Sequence, residues 1–296
     1  RSTLFPYTTL FRSTNRVSRV LFVHRPHACI LAGGTDLLVQ LHEKNRRWDE
    51  LEAVVDLHPF QAELSRIEDV GNALRIGALC THTMIERSSL VRQYFPFLSK
   101  ACSLVGSPQI RNMGTVGGAI CNASPASDPL PPLLAGDAEL LIHGYKCERR
   151  MRLSDFYDDM GVPRLDAGEF VIAVEVRKLL PSERSSFVKL GRRRALAISR
   201  LSVAVVLDFQ RDGSIQNAMI VPGCVGRRVK RYQRAERLLC GQKPSRALIS
   251  KTAAQVSEQM LEENGRRWSS AYKEPALTVL AERALCAAVY DAEDQS

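Results

Sequence analysis

Two stretches in the first half of the chain gather glycines beside hydroxyls and carboxylates. The first is Ala32-Gly33-Gly34-Thr35-Asp36-Leu37-Leu38. The second runs from Ile110 through Gly114-Thr115-Val116-Gly117-Gly118 to Asn122-Ala123-Ser124-Pro125-Ala126-Ser127-Asp128. Glycine lets backbone amides come close to a phosphate, and a neighbouring carboxylate can orient sugar hydroxyls, so the pattern points to binding of a nucleotide cofactor. Glycines needed only for tight turns and a capped helix would not require the Thr-Asp and Ser-Pro-x-Ser-Asp companions. The chain has no G-x-G-x-x-G between a strand and a helix and no G-x-x-x-x-G-K-[ST], so the ligand is held by another kind of loop.

Other chemistry-bearing residues are dispersed. The six histidines, His24, His27, His42, His58, His82 and His143, form no cluster in sequence, and none is a candidate base. The eight cysteines include no C-x-x-C pair. That spacing fits reduced, mostly buried thiols in a cytosolic protein better than a disulfide framework or an iron–sulfur cradle, and no metal is expected.

The elements that must position the loops can be read from periodicity. Val17 to Phe22 has the pattern of a helix, and Cys29-Ile30-Leu31 reads as a strand running into the first glycine loop. Thr35 or Asp36 can cap a helix carrying Leu37, Leu38 and Leu41, which places the loop amides at a helix N-terminus. Strands follow at Ala53 to Leu57 and Leu74 to Gly77, and Thr83-Met84-Ile85-Glu86 has capping-box spacing. Leu98, Ala101, Cys102 and Val105 give a helix that Gly106 stops. A strand is expected at Ala138 to Ile142. Beyond a charged, less periodic region from Cys147 to Gly168, a small sheet is expected from Phe170 to Val176, Ser186 to Leu190, Leu196 to Asp208 and Ala218 to Val221. Helices at Arg231 to Leu239, Ala247 to Leu261 and Pro275 to Ala288 close the chain. Alternating strands and helices, then a sheet backed by helices, make an α+β protein.

Length and hydrophobic content suit a globular chain of two compact domains, and no apolar run is long enough for a membrane span. Lys plus Arg number 41 against 32 Asp plus Glu, a formal charge of +9. The basic residues are scattered apart from Arg192-Arg193-Arg194 and Arg227-Arg228-Val229-Lys230-Arg231. With no nucleic-acid motif beside them, these runs read as solvated or subunit-facing surface.

The order and spacing A-G-G-T-D-L-L, then I-R-N-x-G-T-x-G-G-x-I-x-N-A-S-P-x-S-D, resembles the FAD-binding (medium) subunits of the molybdenum hydroxylases, with bacterial xanthine dehydrogenase FAD subunits the nearest likeness. The likeness runs from about Val17 to about Val289. It implies a PCMH-type FAD-binding domain of two subdomains over residues 14–180. A C-terminal α+β domain like that of CO dehydrogenase flavoprotein would follow over 181–296. Arg1 to Ser13 looks like a translated sequencing adapter, with the family's first strand and much of its first helix missing after it.

Residue by residue, the resemblance assigns Leu31, Ala32, Gly33, Gly34, Thr35, Asp36 and Leu37 to the FAD pyrophosphate loop. It assigns Gly114, Thr115, Gly117, Gly118, Ala119, Ser124 and Asp128 to the second loop, with Asp128 accepting from ribitol or ribose hydroxyls. Ile172 and Lys189 would lie near the cofactor. Ala119 stands where many relatives carry Asn, which leaves the amides of Gly117 and Gly118 as the expected donors there. Pro222-Gly223-Cys224 replaces a Gly-Gly turn of the family. The implied activity is that of a xanthine dehydrogenase-like complex: electron transfer from iron–sulfur clusters of a small subunit, fed by a molybdopterin-binding large subunit whose pocket sets the hydroxylated substrate, through FAD to NAD+ or another acceptor. A carbon monoxide, aldehyde or aromatic hydroxylase complex, and a nonfunctional truncated fragment, are the alternatives.

Overall fold

A computed structural model describes residues 13–43, 48–193 and 196–290. The stretch Arg1 to Arg12 of the suspected adapter lies outside the described residues, as does Arg194 of the first basic run.

The chain enters through α1 (Thr14–Val23), β1 (Ala28–Leu31), α2 (Leu37–His42) and β2 (Ala53–Asp56). β1 and β2 pair in parallel, from Ala28 opposite Ala53 to Leu31 opposite Asp56. α1 buries Val17 and Leu21 against Val55, Leu57, Phe60 and Leu64, a small apolar cluster that props the strand from which the first glycine loop leaves. A second unit begins with α3 (Gln61–Leu64), β3 (Ile67–Asp69) and β4 (Ala73–Gly77). Six short helices follow: α4 (His82–Arg87), α5 (Ser89–Tyr94), α6 (Pro96–Ser103), α7 (Pro108–Met113), α8 (Val116–Asn122) and α9 (Leu130–Ala135). Side chains at four N-caps keep these helices short and sharply turned. Thr81, Ser88, Ser107 and Thr115 accept from the amides of Met84, Val91, Ile110 and Gly118, and Pro96 and Pro108 open their helices where no donor is needed.

β5 (Glu139–His143), β6 (Glu148–Arg152) and β7 (Phe170–Arg177) complete a five-stranded sheet in the order β3-β4-β7-β5-β6. The strand expected at Phe170 to Val176 therefore sits in the middle of the first domain's sheet, not in the later small sheet. Its alternation specified a strand but not a partner. The cap expected at Thr83 lies two residues earlier, at Thr81, and Thr83 instead donates to the Asn112 side chain at 2.6 Å.

The C-terminal part has an antiparallel sheet, β8 (Glu183–Gly191), β9 (Ser199–Phe209) and β10 (Ile215–Gly223), in the order β10-β9-β8. It is backed by α10 (Gln233–Leu239), α11 (Arg246–Asn264) and α12 (Ser270–Tyr290). β9 is apolar on both faces for a reason. Leu201, Val203, Val205 and Leu207 face the helices, while Ala204 and Val206 join the core of the first domain together with Phe187, Met219 and Val221. The three strands are thus a shared wall between two cores. Among the described residues no helix is long and apolar enough to cross a membrane.

Candidate functional site

The first loop leaves the C-terminal end of β1 and turns at Gly34, whose φ of +70° needs glycine. Gly33 is required for a different reason: a Cβ there would lie 1.9 Å from the Met113 carbonyl oxygen and 3.0 Å from the Gly114 Cα. The two glycine stretches are therefore in direct backbone contact. Asp36 occupies the N-cap position of α2, as expected, but its carboxylate caps nothing and meets only the Thr35 hydroxyl, at 3.4 Å. The N–H groups of Gly33, Gly34, Thr35 and Asp36 donate to no acceptor among the described residues. Consecutive unpaired amides of this kind suit a phosphate oxygen.

The second loop behaves differently. Val116 donates to the Cys80 carbonyl at 3.0 Å and Gly117 to that of Ala78 at 2.9 Å, while Gly118 and Ala119 donate to the Thr115 hydroxyl and carbonyl at 3.1 and 2.9 Å. The amides of Gly117 and Gly118, expected to be open to a ligand, are spent on building the loop. Gly117 is needed because a Cβ would come 2.7 Å from that of Ala78. The seam continues to β7, where Ala78 donates to the Ile172 carbonyl at 2.9 Å, so Ile172, Ala78 and Gly117 lie along one hydrogen-bonded path. Ala32 and Gly33 share a pocket of ≈ 60 Å³ with Thr115, and Thr81, Asn112, Met113 and His58 also line it. Sequence reasoning assigned none of these last four to the site. Asn112 and Met113 belong to the second stretch itself, and the long-range Thr81↔Thr115 bridge brings Thr81 to it.

Leu31 and Leu37 are half-buried beside the first loop. Ser124 turns its own segment, accepting from the Ala126 amide at 3.3 Å. Asp128 and Lys189 meet across the domain joint. Lys189 Nζ donates to Asp128 Oδ2 at 2.7 Å and to the Leu104 carbonyl at 2.8 Å, and the Ser199 hydroxyl donates to Asp128 Oδ1. Their side chains are 5% and 9% exposed, which makes this a buried ion pair. The carboxylate expected to face sugar hydroxyls is thus already engaged at both oxygens. Burial, the larger influence, pushes the Asp128 carboxyl above its ordinary range, against the pull of Lys189 and Ser199. Next to it Cys224 donates its thiol to the Ser199 carbonyl, and burial pushes that thiol up to about 12, so it is no nucleophile.

His82 starts α4 beneath Gly114, a Cβ on which would come 3.1 Å from the ring. It is 5% exposed, its Nδ1 has no partner, and burial, with Arg111 adding to it, lowers its pKa to about 4. It is a neutral ring that fills space under the loop. The site therefore offers backbone donors, hydroxyls and a shaped seam, and no acid–base pair. Those are means of holding and orienting a group that carries its own chemistry.

A family model described as the FAD binding domain in molybdopterin dehydrogenase matches residues 11–178, and one described as the CO dehydrogenase flavoprotein C-terminal domain matches residues 186–288. The nicotinate dehydrogenase FAD-subunit of Eubacterium barkeri is 36% identical over 72% of this chain and 71% of its own. The xanthine dehydrogenase FAD-binding subunit of Escherichia coli O157:H7 is 31% identical over 90% and 89%. In structure, a carbon monoxide dehydrogenase from Hydrogenophaga pseudoflava that lacks the Mo-pyranopterin moiety of its molybdenum cofactor superposes with a TM-score of 0.86. It covers 94% of this chain and 95% of that one at 24% identity, a likeness of fold. Relatives named for different substrates thus stand close together. The unpaired amides of Gly33 to Asp36, docked on the second glycine stretch, sit inside the matched FAD-binding region, and the chain belongs to the family of FAD-binding subunits of the molybdenum hydroxylases.

Proposed function

We propose that the chain is the flavin subunit of a xanthine dehydrogenase-like hydroxylase. It receives electrons from the 2Fe–2S clusters of a small subunit, supplied in turn by a molybdopterin-binding large subunit, and passes them to NAD+ or another acceptor. The bound isoalloxazine supplies the redox chemistry, storing two electrons and releasing them as hydride or singly. The chain's residues hold and orient it. The observation that carries this reading is the row of unpaired amides from Gly33 to Asp36, packed on Met113 and Gly114.

Within that row Gly33, Gly34, Thr35 and Asp36 bind the pyrophosphate, flanked by Leu31, Ala32 and Leu37. Gly114, Thr115, Gly117, Gly118 and Ala119 form the rigid wall on which the first loop rests, and Ser124 shapes the approach to Asp128. Asp128 and Lys189 set the polarity at the domain joint, and Ile172 packs with Ile30 and Ala32 on the apolar cluster beside the first loop. The FAD-binding domain is assigned to residues 14–180 and the C-terminal domain to 181–296, with the cytoplasm as the compartment. Nicotinate is the second reading for the large subunit's substrate, favoured by the 36% identity to a nicotinate dehydrogenase subunit.

The test is to purify the chain, saturate it with FAD and measure the visible spectrum after gel filtration, then reduce the flavin and add NAD+ without oxygen. Retained flavin that NAD+ reoxidises supports the proposal. Flavin retained but not reoxidised by NAD+ removes NAD+ as acceptor. A folded chain that holds no flavin refutes the site.

A further inference from the structure

The basic run at Arg227 to Arg231 has no part in the flavin site, yet Arg227, Arg228 and Lys230 line a cavity of their own. This cavity of ≈ 350 Å³ opens between the loop after β10, the turn after β6 and the end of α11. That volume falls within the range of about 300–1,000 Å³ typical of small-molecule sites. Arg227, Arg228, Lys230 and Arg267 contribute the cations, against the carboxylates of Asp159 and Glu263.

The carboxylates are already matched. Arg228 pairs with Asp159 at 3.4 Å, and Lys230 with Glu263 at 2.9 Å. Among the described residues, the Arg227 guanidinium touches only the Met160 sulfur, at 2.9 Å, and the Arg267 guanidinium meets no side-chain or carbonyl acceptor. Two guanidinium groups therefore border one concave space without an anion. Guanidinium offers forked donors that fit a phosphate bidentately, and two of them match a dianion.

We propose that this cavity binds the phosphate group of a small soluble phosphate ester, at a site separate from the flavin loops. Arg227 and Arg267 hold the phosphate oxygens. Arg228 and Lys230 offset the carboxylates of Asp159 and Glu263, so the charges of Arg227 and Arg267 stay unopposed in the cavity.

The test uses the full chain saturated with FAD, so that the amides of Gly33 to Asp36 are not open to the probe. Thermal melting is followed with inorganic phosphate, with AMP, and with potassium chloride at matched ionic strength, for the parent, for Arg227→Gln/Arg267→Gln, and for Arg211→Gln as an exposed control far along the chain. At roughly tenfold excess over a millimolar Kd, the phosphate-bearing probes are expected to raise the midpoint by about 3 °C over chloride. The double variant should lose this rise and the control should keep it. A larger rise with AMP than with phosphate assigns the site to an ester, and equal rises assign it to the phosphate group alone. No rise over chloride, or a rise that survives in the double variant, overturns the proposal. So does a double variant that fails only to co-purify a partner subunit, which would make the cavity a protein contact.

Discussion

Replacing Lys189 by Met should expose the electrostatic cost hidden at the domain joint. The substitution keeps most of the side-chain volume while removing the charge that faces Asp128 at 2.7 Å. It leaves a carboxylate 5% exposed with only the Ser199 hydroxyl beside it. Breaking one partner from a buried pair costs about 3–5 kcal/mol. Protonation limits that cost: from the ordinary value of 3.8 to pH 7, at about 1.4 kcal/mol per unit, the ceiling is about 4 kcal/mol. The sign follows from linkage. In the variant the folded-state pKa of Asp128 lies further above its unfolded value. Its contribution is intact below pH 3.8 and lost as pH rises through the new folded pKa. Urea unfolding of parent and Lys189→Met at pH 5, 6 and 7, read by circular dichroism, should show a loss of about 3–4 kcal/mol at pH 7. The loss should shrink by as much as about 1.4 kcal/mol per unit toward pH 5. Asp128→Asn/Lys189→Met should regain most of it. A loss that does not change with pH would mean that Lys189 acts by packing, and the buried-pair account would be wrong.

Gly33→Val drives a side chain into the Met113 carbonyl and should cost about 3 kcal/mol together with flavin retention. Gly71→Ala, at φ +88° with nothing within 4 Å, should cost about 1 kcal/mol and leave the visible spectrum unchanged. His82 is held neutral at a pKa of about 4 against 6.5 unfolded, so stability falls as pH drops through that window, by about 3 kcal/mol in all. His82→Phe should flatten the acid limb of the pH–stability curve, and an unchanged limb would show that other groups produce it. Thr115→Val removes the cap on the Gly118 amide and should lower the urea midpoint by the equivalent of about 1 kcal/mol. Equal midpoints would mean that the amide finds another acceptor.

Much of this could be read from the chain because it is local. The glycine pairs, the strand before the first loop and the closing helices depend on residues within a few positions of one another. What escaped reading depends on contacts between distant segments. Alternation at Phe170 to Val176 says strand but cannot say that its neighbours are β4 and β5. Thr83, with Glu86 three residues on, is the better cap in isolation, yet Thr81, held by its bridge to Thr115, takes the position. The amide of Gly117 looked free because its acceptor, the Ala78 carbonyl, is brought to it only by the fold, whereas the Gly118 amide meets a local N-cap, the Thr115 hydroxyl, that the reading overlooked. Asp128 and Lys189 both stood out in sequence, but nothing there showed that they were each other's partner.

The division of β9 between two cores has a consequence for how the molecule comes apart. Cutting the chain between the two family regions would strip Phe187, Ala204, Val206, Met219 and Val221 from the first core and leave the other side of the same sheet bare. Neither piece keeps a complete interior, so denaturant should melt the whole as one cooperative unit although two family models divide it. The joint has no slack for hinging. Any redox partner that docks on either half therefore meets a flavin site at a constant distance, and the separation that governs electron tunnelling is built into the rigid body and not set by a moving linker.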